Sequence, residues 1–245
     1  MYDLKLKKYK YNKDYKLDFN SLLKLVDKNT SLIIIPNPNV PIEGIINLDQ
    51  IEKIIKICKK NKIMLVMDEV YFPFSSVNSL NLFNKYKENY IILRSFSKAF
   101  GMAGIRLGYA ISSKKNINYI AKTRGGYETN NLSVIASSVL IDNYNEVENY
   151  VFEVKEGIKY LKFKLDKLNI KYIGGDNGNY IFIILKNKKT AESILKLLIT
   201  KKIFIRGGWP KPYDNGLLIS GAPVNILKKF YKSFEKIILN EKNRF

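Results

Sequence analysis

Three short, wholly apolar runs separated by a helix-period stretch constrain this chain more than any other feature. Residues 32–35 read Leu-Ile-Ile-Ile, residues 63–67 Ile-Met-Leu-Val-Met and residues 90–93 Tyr-Ile-Ile-Leu. Runs of this length without polar alternation are the pattern of strands buried on both faces, as in parallel sheets. Between the first two, Leu48, Ile51, Ile54, Ile55 and Cys58 recur at helical spacing with lysines on the opposite face, which predicts a crossover helix over 48–60. A fourth apolar stretch, 105–111, follows the third after about ten residues, too few for a parallel crossover, and is expected to run antiparallel. Residues 131–168 read as a long helical region. Beyond it come a strand at 179–185, a helix at 190–202, short strands at 203–206 and 217–220, and a closing helix at 224–239. Residues 1–11 read as an edge strand. The expected class is α/β, with a mostly parallel sheet in a large domain, residues 1–145, and a small α+β lobe, residues 146–245.

Composition narrows the chemistry. The 245 residues include no histidine, which removes Ser-His-Asp and Cys-His nucleophile systems and the commonest ligand of zinc sites, so no metal centre is expected. Catalysis has to rest on lysine, carboxylate, tyrosine or a cofactor. The single cysteine, Cys58, can form no internal disulfide, which fits a reducing cytoplasm. A formal charge of +20 suggests nucleic acid, but only five residues are arginine, the better reader of phosphate and guanine, and the lysines are scattered. The charge therefore reads as a solvated surface, with no nucleic-acid partner. No apolar run reaches the ~20 residues that cross a bilayer, and no membrane partner is expected.

In open α/β sheets, ligands bind beyond the carboxyl ends of the strands. Here those ends carry Asp68-Glu69-Val70-Tyr71 and the string Arg94-Ser-Phe-Ser97-Lys98-Ala-Phe-Gly101-Met-Ala-Gly104-Ile-Arg106-Leu-Gly108-Tyr109. The string Ser-x-Ser-Lys-x-x-Gly-x-x-Gly-x-Arg-x-Gly-Tyr, with Asp-Glu-x-Tyr ahead of it, resembles the class I/II, fold-type I pyridoxal-phosphate aminotransferases, particularly the histidinol-phosphate aminotransferases. The resemblance runs from about residue 31 to the end and implies the pyridoxal-phosphate transferase fold. It implies a reaction moving an amino group between a small-molecule donor and an oxo acceptor, with pyridoxal 5'-phosphate as cofactor. Lys98 would bond to the cofactor aldehyde and later move the proton at the substrate α-carbon. Asp68 would pair with the ring nitrogen, and Tyr71 with the phenolic oxygen. Ser95 and Ser97, taken as extended and two apart so that their hydroxyls share a side, would cradle the phosphate together with Arg106. Arg206 falls on the substrate side.

Three departures from the family pattern stand out. In the loop Asn37-Pro38-Asn39-Val40-Pro41-Ile42-Glu43-Gly44, the asparagine that meets the phenolic oxygen aligns with Val40, so Asn39 would have to substitute, and the family's Thr-Gly has become Ile42-Glu43. Leu218 stands where relatives place a carboxylate-gripping arginine. The family also carries an N-terminal segment ahead of this chain's first residues, so the chain reads as N-terminally truncated. It would form a homodimer if intact or pair with a partner supplying that segment. A decarboxylase of the same family is one alternative, and an inactive remnant serving as a binding or assembly subunit is another.

Overall fold

The computed structural model describes residues 4–12 and 14–242. They divide into two compact units. One runs to Val40 and resumes over Gly44–Val139, and the other gathers Pro41–Glu43 with the chain from Leu140 onward.

The first unit is built on β1 (Leu32–Pro36), β2 (Met64–Asp68), β3 (Tyr90–Ser95) and β4 (Gly108–Ile111), ordered β1-β2-β3-β4. The first three are parallel and β4 is antiparallel to β3, as the short connection required. Helix α2 (Leu48–Asn61) makes the crossover. Asn47 and Gln50 start it by a reciprocal capping box: the Gln50 amide donates to Asn47 Oδ1 at 2.9 Å and the Asn47 amide to Gln50 Oε1 at 3.1 Å. Its apolar face, Ile51, Ile54, Ile55 and Cys58, packs on Ile35, Leu65, Met67, Tyr90 and Ile92. Each such side chain contributes about 1.5–3 kcal/mol by leaving water. Helices α1 (Phe19–Lys24), α3 (Leu80–Tyr86) and α4 (Lys114–Ala121) also belong to this unit, and α5 (Asn131–Asp142) runs across the division of the chain after Val139. The first three are short, of six, seven and eight residues.

Two expectations about this unit need correction. Strand β1 is not buried on both faces, since Leu32 is 42% and Ile34 55% exposed. The register sets these residues beside Met64 and Val66, on the face opposite the one that α2 covers. An apolar run reports a strand's preference for burial, but burial requires a layer on each side. The edge strand expected over 1–11 is also absent from the described part: residues 4–10 are irregular, and only Tyr11 forms a bridge, to Leu17. A strand without a neighbour leaves its backbone groups unpaired and does not persist. Residues 1–3 lie outside the described residues.

In the second unit, β5 (Lys171–Gly174), β6 (Tyr180–Ile184) and β7 (Gly216–Ser220) form an antiparallel sheet. Helices α6 (Tyr144–Lys167), α7 (Lys188–Thr200) and α8 (Val224–Lys242) belong to it. Buried faces from α6 (Val154, Ile158, Leu161, Leu165), β6 (Phe182, Ile183), α7 (Leu198) and α8 (Phe234) supply its core. The region read as one long helix is two, α5 and α6, parted at Asn143, whose backbone leaves the helical region. The expected strand at 203–206 reduces to one bridge, Arg206 to Leu218. No helix among the described residues is long and apolar enough to cross a membrane.

Candidate active site

Alternation of side chains along a strand sends Asp68 and Glu69, adjacent at the end of β2, to opposite faces of the sheet, and their surroundings differ accordingly. Asp68 follows Met64 and Val66 on the sparsely covered face, beside Leu93 of β3. Its Oδ1 accepts the Val70 amide at 3.1 Å. Burial raises its pKa from the ordinary carboxylate value, the charge of Glu69 adds to this, and the Val70 amide and the Lys98 ammonium oppose it. A partly desolvated carboxylate so placed is short of positive charge.

Lys98 comes from a turn rather than a strand. After β3 the backbone folds back, with the Gly101 amide donating to Lys98 O at 3.0 Å and the Met102 amide to Phe96 O at 3.0 Å. Gly101 sits at φ +68°, a conformation that favours glycine. Phe96 and Phe100, both buried, meet edge-on at 4.8 Å and hold the turn to its base. Lys98 Nζ lies 5.3 Å from the centre of the buried Tyr71 ring. The amine thus lies beside the Tyr71 ring and within electrostatic reach of the Asp68 carboxylate.

The same turn corrects the picture of the serines. Ser97 is not extended: its amide donates to Ser95 Oγ at 3.0 Å, and Ser95 Oγ reaches Leu107 O at 3.4 Å. The two residues remain in one turn, but a hydroxyl-to-amide bond places them there rather than strand alternation. Arg106 is exposed, has φ +57°, and donates from its guanidinium to Ala103 O at 2.8 Å. The half-buried Asn39 is bridged to Gly44, its amide donating to Gly44 O at 3.0 Å. Arg206 belongs to the second unit, where its exposed guanidinium stacks 4.3 Å over the Trp209 ring.

Glu69, on the covered face, anchors a network that the motif reading gave no role. It is 1% exposed and Arg94 is 7%. The Arg94 guanidinium donates to Glu69 Oε2 from Nη2 at 2.9 Å and from Nε at 3.2 Å, donates to Asn78 Oδ1 at 2.7 Å, and stacks 3.6 Å over Phe72. Glu69 Oε1 accepts the Ser79 amide at 2.9 Å and the Ser79 hydroxyl, which in turn accepts from Tyr90. A signal was present in the sequence. A carboxylate sent to a covered face needs a cation, and the strand pairing of Asp68 with Leu93 sets Glu69 beside Arg94.

The desolvation of Asp68 yields a prediction. A carboxyl whose pKa is raised on folding binds its proton more tightly folded than unfolded, so it costs stability once pH rises above its unfolded pKa. Asp68→Asn is therefore expected to raise the melting temperature of the ligand-free chain at neutral pH, with the gain vanishing near about pH 4, where the unfolded carboxyl is itself protonated. Equal melting curves at neutral pH would contradict this.

Comparison with known proteins gives the family and the fold. The profile of the family Aminotransferase class I and II matches residues 1–215, and the chain belongs to that family. Its similar relatives are histidinol-phosphate aminotransferases. One from Thermoanaerobacter sp. (strain X514) is 34% identical over 196 residues, covering 79% of this chain and 53% of the relative. Histidinol-phosphate aminotransferase 2 of Carboxydothermus hydrogenoformans is 27% identical over 218 residues, covering 86% of this chain and 59% of the relative. The chain thus spans little more than half the length of the curated relatives it matches. Among solved structures, the histidinol-phosphate aminotransferase of Clostridium acetobutylicum superposes with a TM-score of 0.84 at 22% identity, over 94% of this chain and 70% of that one. The Sinorhizobium meliloti enzyme in complex with pyridoxal-5'-phosphate gives 0.82 at 20% identity, over 94% and 63%. These establish the α/β transferase fold.

Proposed function

We propose that this chain is the cofactor-binding and C-terminal part of a pyridoxal-phosphate-dependent aminotransferase of the histidinol-phosphate kind. It would move an amino group between an amino donor and an oxo acceptor. The convergence of Lys98, Asp68 and Tyr71 carries the reading. Asp68 lacks the close cationic partner that Glu69 has in Arg94, and a protonated pyridine nitrogen would supply the missing positive charge. Lys98 would hold the cofactor covalently, Asp68 its ring nitrogen and Tyr71 its phenolic oxygen, with Asn39 of the variant loop as the further donor to that oxygen. Ser95, Ser97 and Arg106 would take the phosphate, Arg106 after giving up its contact with Ala103.

When bound, pyridoxal phosphate supplies the electron sink for negative charge at the substrate α-carbon. The remaining work falls to the chain. The Lys98 amine, held beside the Tyr71 ring, would take the proton from the substrate α-carbon and give it back. Asp68 would keep the ring nitrogen protonated, and the buried Tyr71 ring would exclude water. Arg206 would bind the anionic group of the substrate. We assign residues 1–145 to the cofactor-binding domain and 146–245 to the small domain. The working state would be a cytoplasmic homodimer completed by the part of the relatives' length that this chain does not span, in the same polypeptide or in a partner.

The test is to incubate the purified chain with pyridoxal phosphate, reduce with borohydride and map the modified peptide. Modification is expected to concentrate on Lys98 and to disappear from that peptide in Lys98→Ala. With the rest of the fold supplied, Lys98→Ala is also expected to lose transamination from a histidinol-phosphate donor. Labelling spread over surface lysines without preference for Lys98 would reject the reading.

A further inference from the structure

The variant loop holds a feature that the proposed reaction does not use. Glu43 stands at φ +49°, a left-handed conformation that favours glycine. Its carboxylate is received by the turn 174–178 that joins β5 to β6. Oε1 accepts the amides of Gly175 at 3.0 Å, Asp176 at 3.2 Å, Asn177 at 3.0 Å and Gly178 at 2.6 Å, and Oε2 accepts Asp176 N at 3.0 Å. Four consecutive amides converge on one carboxylate.

The turn is shaped for this. Gly174 and Gly175 take φ of +92° and +84°, which rotates successive N–H groups toward one point, the geometry of an anion-binding nest. A Cβ on Gly175 would lie 2.6 Å from Ile158 Cγ2, and one on Gly178 would lie 2.4 Å from the Tyr180 ring, so these positions also need glycine for space. The charged neighbours are Asp176 and Lys162, which pair with each other at 2.7 Å.

We propose that the turn 174–178 is a binding site for small oxyanions, of the carboxylate or phosphate class, and that Glu43 is its built-in ligand, keeping free anions out. Removing the carboxylate exposes the amide donors to any oxyanion small enough to enter.

The experiment compares the wild-type chain with Glu43→Gly, which vacates the nest and suits the left-handed backbone. Amide shifts of residues 175–178 are followed by NMR during titration with inorganic phosphate and, separately, with acetate. The expected result is saturable shifts of these four amides in the variant in the millimolar range, and none in the wild type at about tenfold higher anion. A response to phosphate alone or acetate alone would assign the class of anion. Should Glu43→Gly fail to fold, Glu43→Gln is titrated instead. Its carbonyl oxygen is a weaker, uncharged acceptor and its NH2 replaces the oxygen that accepts Asp176 N, so it is expected to yield to either anion. Amides that respond to neither anion in the folded variant, or that respond equally in the wild type, would overturn the proposal.

Discussion

Glu69→Gln is expected to lower folding stability by about 3–5 kcal/mol, the range found when one partner of a buried ion pair is removed. The loss comes from what is left behind. Arg94, 7% exposed, would keep its charge with only the Asn78 side chain and the Phe72 ring to solvate it. The Ser79 hydroxyl and amide would lose a charged acceptor for a neutral one. Removing both charges, in Glu69→Gln with Arg94→Met, is expected to cost less than the sum of the single changes, because neither member is then left buried alone. Chemical denaturation of the four variants measures this coupling directly. A single-variant loss under about 1 kcal/mol, the range of an exposed pair, would show that water reaches the guanidinium and that the network does not anchor the strand ends.

Gly157→Ala is expected to cost up to about 2 kcal/mol net, although alanine is the better helix former. In mid-helix the exchange alone favours alanine by about 1 kcal/mol. A Cβ at position 157, however, would stand 1.8 Å from the carbonyl oxygen of Ala222 and 3.1 Å from Leu227 Cδ1. The oxygen belongs to backbone entering α8 and cannot rotate away, so α6 and α8 must move apart, and overpacking of this kind costs about 1–3 kcal/mol, occasionally more. Gly126→Ala, where no atom lies within 4 Å of the added carbon, is the control and is expected to change stability little. A stabilised Gly157→Ala would mean that α6 is not held against residue 222.

Much of this site was legible because its parts lie close together in the chain. The string from Arg94 to Tyr109 and the Asp68-to-Tyr71 element sit at the ends of apolar runs, and apolar runs reveal strands without reference to anything distant. Ser97 was misread because a side-chain-to-backbone bond from Ser95 turned the chain one residue after β3 ended, a competition that propensity does not resolve. Glu43 looked like a simple departure from the family pattern. Its partners lie more than 130 residues away, and no local pattern links a loop carboxylate to a glycine turn at that separation.

The amino-acid order alone determined the strand–helix–strand succession, the reversal of β4 and the residues delivered to the strand ends, since periodicity, chain length and capping act within a few residues of one another. The tertiary structure decided which sheet face α2 covers, that Asp68 is left short of positive charge while Glu69 is fully paired, and that Glu43 closes a nest of amides. Burial and charge pairing are settled by groups brought together from far along the chain, so an identical local pattern can end beside a cation, an amide or water.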